Sequence, residues 1–227
     1  MKKYSLLIAV SLLLSISAAC KPSNENNKAT EATAQKELIP VEVETINGMK
    51  RAYFASGCFW CVEAIYESVK GVKEVISGYS GGHTKNPTYE SSNTGKTGHA
   101  EAVEVIYDPK VVSFATLVDV YFGSQNITQV NGQGPDRGSQ YRSILFYQNE
   151  EEKKVIDEKI ASLNEQLEDY KVAAQVLPFQ KFWEAEAEHQ NYEKLHPNNP
   201  YIQNVSIPRL RRFQEKFPHL LKEPKDH

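Results

Sequence analysis

The sequence predicts an α+β fold: a ferredoxin-like, split βαβ sandwich core with additional C-terminal helices and a long wrapping tail. Three observations lead there. From residue 51 onward, runs with strand and helix character follow in the order strand–helix–strand–strand–helix–strand, which is the split βαβ order. Hydrophobic residues make up 40% of the 227 and charged residues 24%, enough to bury a sizeable core and too apolar for wholesale disorder. No polar spacer and no internal repeat interrupts the chain after residue 51, so a single domain over 51–222 is expected, with a short tail at 223–227.

Each element has its own reason. Residues 51–56 (RAYFAS) form a short strand candidate that ends at Gly57. Residues 59–70 carry apolar side chains at Phe59, Val62, Ile65, Tyr66 and Val69, a helical spacing that Gly71 stops. A second strand is expected at 72–79, followed by a turn-rich stretch of Gly, Ser, Thr and Asn. Residues 100–107 (AEAVEVIY) read as a mostly apolar strand ended by Asp108-Pro109, and 113–122 as a helix with Ser113 as N-cap. A polar loop over 123–140 leads into a strand at 141–147. Three pieces extend the core: a charged helix at 150–167, a strand at 172–177 and a helix near 184–195. From Asn198 the chain holds Pro200, Pro208, Pro218 and Pro224 and a basic cluster at Arg209, Arg211 and Arg212, and it is expected to wrap over the domain surface.

The N-terminal residues stand apart. Lys2 and Lys3 precede an apolar run over 6–16 that only serines interrupt, and Ser17-Ala18-Ala19 supplies the small residues of a cleavage site, so 1–19 is expected to be an export signal. The run falls short of the about 20 apolar residues that a membrane-spanning helix needs. Cys20 follows Ala19, and this junction resembles the lipobox of bacterial lipoproteins. That resemblance implies lipidation of Cys20 and a place in the bacterial cell envelope, anchored to a membrane; from the residues alone, a signal peptide with an incidental cysteine is the other reading. Residues 20–50 would be the tether, because 21–37 lack any aromatic or large aliphatic side chain.

Charge and cysteine content exclude several functions. A net charge of −3 lacks the basic excess that a nucleic-acid binder needs. Three cysteines cannot staple a domain of this size or fill a zinc ribbon, no His-Glu-x-x-His run occurs, and no metal or other cofactor is expected. With Cys20 set aside, Cys58 and Cys61 remain, three apart where a strand gives way to a helix. A helix N-terminus favours a thiolate, and cysteines at this spacing can form a disulfide after modest rearrangement. By themselves they suggest a thioredoxin-like disulfide reductase, although Phe59 and Trp60 between them are bulky and the strand order differs. Two small buried hydrophobes, or a non-enzymatic surface lipoprotein displaying an aromatic patch, are the other readings.

The stretch GCFWCVEAIYESVKGV at 57–72 resembles the nucleophile segment of peptide methionine sulfoxide reductases of the A class, which act on the S epimer. The likeness continues through GYSGG at 78–82, NPTYE at 86–90, TGHAEAVEVIYDP at 97–109, GPDRGSQYRS at 134–143 and AEHQNY at 187–192. The resemblance implies that Cys58 attacks the sulfoxide sulfur and becomes a sulfenic acid. It implies that Phe59 and Trp60 hold the S-methyl group, that Glu101 protonates the oxygen, that Tyr89 and Tyr141 hydrogen-bond it, and that Asp136 lines the same site. Cys61 would be the resolving thiol, with the disulfide reduced by a thioredoxin-like protein or another dithiol. The implied substrates are oxidised proteins or peptides containing methionine-S-sulfoxide, and the implied state is a monomer. Bottom-up chemistry agrees. A sulfoxide oxygen leaves only when protonated, so Glu101 must keep a proton near neutral pH, which a dry aromatic pocket promotes. His189 is read as a packing residue. Gln125-Asn126-Ile127-Thr128 stands where relatives often have His-Asp-Pro-Thr.

Overall fold

A computed structural model describes residues 38–223. The expected export signal at 1–19, Cys20, most of the tether and the last four tail residues lie outside the described residues.

The centre is a six-stranded sheet. In chain order its strands are β1 (Lys50–Ala55), β2 (Val72–Ser80), β3 (Ala100–Tyr107), β6 (Ile144–Tyr147), β7 (Gln175–Pro178) and β8 (Phe182–Glu184). They lie in the spatial order β7-β6-β1-β3-β2-β8. The middle four, β6-β1-β3-β2, pair antiparallel throughout and form the split βαβ core. Helices α1 (Phe59–Glu67) and α3 (Phe114–Gly123) supply its two crossovers. At one edge β7 joins β6 in parallel, and at the other β8 joins β2 antiparallel.

Strand alternation sorts the side chains. On β1, Ala52 and Phe54 join the large core beneath α1 and α3, whereas Tyr53 and Ala55 join a smaller one on the other face. On β3, Val103, Val105 and Tyr107 face the large core, and Ala100 and Ala102 face the small one. This parity puts Glu101, the second residue of the strand, on the helix-covered face. Gly71 ends the α1 connection with φ +89°, where a side chain would strike Val112 at 2.8 Å.

Ser113 caps α3 as the sequence predicts, its hydroxyl accepting from the Thr116 N–H at 3.0 Å. Helix α4 (Glu150–Gln166) is capped by Asn149 and opens with three glutamates, the charge its N-terminus favours. Elsewhere the structure refines the expected boundaries. The strand expected at 141–147 starts at Ile144, after a 3₁₀ turn over Ser139–Tyr141, and the strand expected at 172–177 is Gln175–Pro178. The turn-rich stretch holds a short helix α2 (Tyr89–Asn93), and the polar loop holds a minimal hairpin, β4 (Gly132–Gln133) with β5 (Asp136–Arg137).

The helix expected near 184–195 is not continuous. It divides into β8, a 3₁₀ turn at Ala187–His189 and a single-turn helix α5 (Tyr192–Leu195). Two residues break it. Gln190 bonds the N–H and C=O of Ser77 and the Ala185 carbonyl, and Asn191 takes a left-handed φ of 53°. The C-terminal segment bonds back to the residues just after α1: the Leu220 carbonyl accepts the Lys70 N–H, and the Lys222 N–H donates to the Ser68 carbonyl. On the way it forms a π turn (Ile202–Ser206) leading into helix α6 (Ile207–Lys216). Pro208 sits in the first turn of α6, where its missing N–H costs nothing. The basic cluster is therefore split: Arg211 and Arg212 are exposed, whereas Arg209 is buried.

Candidate active site

The site forms where β1 turns into α1. Gly57 makes the turn with φ +79°, and Cys58 follows as the N-cap of α1, with no side-chain capping bond of its own. Helix α1 thus starts with Phe59 and Trp60, and Cys61 lies within its first turn. Cys58 and Cys61 are both free thiols and both buried.

Glu101 reaches the same spot from β3. It is only 2% exposed, and its Oε2 accepts the Phe59 N–H at 3.0 Å. Burial pushes its pKa up to about 8, aided by the negative charge of Asp136 and opposed by the Phe59 N–H. Near neutral pH this carboxyl mostly holds its proton, in a position where Glu101, Cys58, Tyr89 and Tyr141 feel one another's charge. Burial raises both tyrosines first, and the Glu101 charge raises them further, so both keep their hydroxyl protons.

The aromatic side chains form one wall. Phe59 is fully buried and Trp60 partly so. The Trp60 ring stacks on Tyr192 at 3.7 Å and 7°, and its Nε1–H is buried without a partner. His189 sits 4.3 Å from the Tyr89 ring, 5.4 Å from Phe59 and 5.8 Å from Trp60, so it packs the wall together. Burial lowers its pKa, and its neutral ring fits that packing. Glu186 fixes Tyr89 by accepting its backbone N–H at 2.9 Å while also accepting the Tyr79 hydroxyl at 3.0 Å.

Asp136 is placed differently from the other expected site residues. It lines a cleft on the Cys61 side and accepts the Tyr201 hydroxyl at 2.7 Å. Burial raises its pKa and the Tyr201 bond holds it back, while its own charge still acts on Glu101 and Tyr141. The Tyr201 oxygen also lies 3.7 Å from Cys61 Sγ.

The two thiols share their protons unequally. Burial, then hydrogen bonding with Cys61, pushes Cys58 well up. Cys61 is drawn down by its bond with Cys58, by the positive Arg209 and by bonds from Ser206 and Tyr201, against the opposing effect of burial. These effects make Cys61 the more acidic thiol of the pair, the reverse of the order that a helix N-terminus alone would give.

Tyr201, Arg209, Tyr192 and Glu186 are the members of this surround that sequence reasoning passes over. Glu186 and Tyr192 flank or belong to the AEHQNY block, which was a usable signal. Tyr201 and Arg209 lie in a proline-rich basic stretch whose local pattern reads as surface. Gln125, in the loop that departs from the usual residues, accepts from Ser56 Oγ, Gln133 Nε2 and Ser143 Oγ and so ties the loop to the sheet. Among the described residues no three His, Cys, Asp or Glu side chains group as metal ligands.

Comparison with known proteins points one way. The family model for peptide methionine sulfoxide reductase matches residues 50–221. The chain is 44% identical over 173 residues to the peptide methionine sulfoxide reductase MsrA of Pasteurella multocida, covering 76% of this chain and 99% of that protein. It is 42% identical over 174 residues to the MsrA of Saccharolobus solfataricus, covering 77% and 98%. Among solved structures, methionine sulfoxide reductase A of Corynebacterium diphtheriae superposes with a TM-score of 0.61 at 31% identity, over 68% of this chain and 78% of that one.

Proposed function

We infer the chemistry of the site from the premise that the chain belongs to the peptide methionine sulfoxide reductase family, whose model spans residues 50–221. It is an oxidoreductase that reduces methionine sulfoxide. The finer reading is that it acts on the S epimer in proteins or peptides, with Cys58 as nucleophile and Cys61 as resolving thiol.

The sulfoxide's S-methyl group rests against Phe59 and Trp60, where an aromatic wall suits a methyl next to sulfur. Tyr89 and Tyr141 donate hydrogen bonds to the oxygen, which gains charge as the S–O bond weakens. Cys58 sulfur attacks the sulfoxide sulfur as Glu101 delivers its proton to the oxygen. The oxygen transfers to Cys58 as a sulfenic acid, methionine leaves, and the proton lost by the Cys58 thiol restores Glu101. Cys61 then attacks the Cys58 sulfur, water leaves, and a Cys58–Cys61 disulfide remains. A thioredoxin-like dithiol returns both thiols by supplying two electrons and two protons.

The Phe59 N–H···Glu101 contact carries this reading, because it holds a buried, protonated carboxyl beside the helix N-terminus that Cys58 caps. Turnover of each sulfoxide epimer with a dithiol is the test, and absence of S-epimer turnover would sink the proposal. Cys58→Ser should lose all turnover. Cys61→Ser should complete one stoichiometric reduction and then stop; normal cycling with a thioredoxin donor would remove Cys61 from the resolving role.

We further propose that residues 1–19 export the chain and that a lipid on Cys20 anchors it in the bacterial envelope, on the basis of the small-residue junction before Cys20. Cys20→Ala should release the enzyme from the membrane fraction with its activity intact. Retention of the variant in that fraction would end this part of the reading.

A further inference from the structure

We propose that the reducing thiolate reaches the Cys58–Cys61 disulfide through a separate cleft floored by Cys61, attacks Cys61 rather than Cys58, and is drawn in by the cleft's basic wall. This rests on the reading above that Cys58 and Cys61 form a disulfide during turnover.

A cleft of about 720 Å³ lies between the loop after α3, the β4–β5 hairpin and the C-terminal helix. Cys61 is among its lining residues, whereas Cys58, Phe59, Trp60, Tyr89, Tyr141 and Glu101 are not. Its volume lies in the range of small-molecule sites. Of the two cysteines, Cys61 borders this cleft and Cys58 does not. A reductant using the cleft need not wait for methionine to leave the aromatic pocket.

The charge on the cleft wall has a sign. Arg209, Arg212 and Lys216 line it, against the single carboxylate of Asp136. Arg209 is only 8% exposed and is held by the carbonyls of Ser124 and Ser56 and by Ser56 Oγ, all at 2.8–2.9 Å. Among the described residues no carboxylate forms an ion pair with Arg209, Arg212 or Lys216. A buried cation bonded to neutral oxygens keeps its positive field, which an incoming thiolate meets at close range. The same field draws Cys61 toward its thiolate form in the reduced enzyme.

The exchange balances. The incoming thiolate forms an S–S bond to Cys61 as the Cys58–Cys61 bond breaks, and Cys58 leaves with the electron pair. Glu101, which burial keeps protonated, gives Cys58 its proton. The reductant's second thiol loses its proton, which returns to Glu101 through solvent, and attacks the mixed disulfide. Cys61 is then released and the reductant becomes the disulfide.

The test uses the full chain with its disulfide formed by a diazene oxidant such as diamide, so that it does not depend on sulfoxide turnover. Mercaptoacetate, mercaptoethanol and cysteamine are compared at equal thiolate concentration. The expected order is anionic, then neutral, then cationic thiol, spanning about tenfold at low salt and shrinking as salt is raised. Arg212→Glu with Lys216→Glu, both at exposed positions, should reverse that order while sulfoxide-driven disulfide formation keeps its wild-type rate. A thioredoxin with its second active-site cysteine changed to serine, quenched with a maleimide, should leave its adduct on Cys61. If that protein's rate also changes in the charge-reversed variant, the cleft serves a protein dithiol; if only the order of the small thiols changes, it serves small thiols. An adduct on Cys58, a thiol order indifferent to the substitutions, or failure of the two cysteines to bridge overturns the proposal. Failure of sulfoxide alone to produce the disulfide would instead refute the resolving role of Cys61.

Discussion

The backbone N–H of Phe59, the residue after Cys58, donates to Oε2 of Glu101 at 3.0 Å. The bond ties the first turn of α1 to the start of β3, so one contact sets Cys58 at the helix N-terminus relative to the Glu101 carboxyl. It also stabilises the ionised carboxylate, yet burial dominates and leaves the group at about 8.

The first prediction concerns rate. With Glu101 as the acid, kcat/KM for a methionine-S-sulfoxide peptide should hold from neutral pH and fall above about 8, as the carboxyl loses its proton. Glu101→Gln keeps an acceptor for the Phe59 N–H but has no proton to transfer, and should lose roughly 10²- to 10⁴-fold in the single-turnover rate. The alkaline fall should vanish with it. A variant within threefold of wild type would mean the proton comes from elsewhere.

The same residue makes a stability prediction of opposite sense. The folded pKa of about 8 lies above the usual 4.5. Between those values the native state holds a proton that the unfolded chain has lost, so this group's contribution falls as pH rises through the window and is flat outside it. Glu101→Gln removes the effect. Relative to wild type, the variant should gain little at pH 4 and on the order of a few kcal/mol at pH 8. Urea unfolding of both proteins at four pH values measures this. An advantage that shrinks with rising pH would contradict the assigned direction.

Much of this arrangement is legible in the sequence, and the rest is not, for identifiable reasons. The four core strands and two crossover helices show clear periods because each buries a face against the others. Parity along β3 even assigns Glu101 its face, since Val103, Val105 and Tyr107 share it. Strand β8 is only Phe182–Glu184, too short for alternation to register, and exists through pairing with β2. Arg209 has no local signal either: it becomes an interior residue because carbonyls of Ser56 and Ser124, far away in the chain, need a donor. The helical spacing in 184–195 was real as composition, but Gln190 satisfies more hydrogen bonds by clamping Ser77 than a continuous helix would give it.

The third prediction tests the turn that presents Cys58. A Cβ at Gly57 would lie 2.5 Å from Gln133 Cβ, and the φ of +79° strains any L side chain. Gly57→Ala should cost roughly 2–4 kcal/mol, from the left-handed backbone together with the clash. Relief by shifting the turn moves Cys58 with it, so the single-turnover rate should fall as well. Thermal melting and rapid-quench assays measure the two effects. Wild-type values in both would show that the turn is not rigidly set.

The last prediction separates two steps through one hydroxyl. Tyr201 donates to Asp136 at 2.7 Å and lies 3.7 Å from Cys61 Sγ. Tyr201→Phe removes both contacts while keeping the ring. Without the hydroxyl, Asp136 loses its hydrogen-bond donor. Cys61 loses its share of that hydroxyl's hydrogen bonding, which draws it toward its thiolate form, so disulfide formation after the sulfenic acid should slow by roughly three- to tenfold, the worth of one hydrogen bond. Methionine release and disulfide formation can be followed separately in a single turnover. Slowing of methionine release alone, with disulfide formation unchanged, would place Tyr201 with the substrate rather than with Cys61.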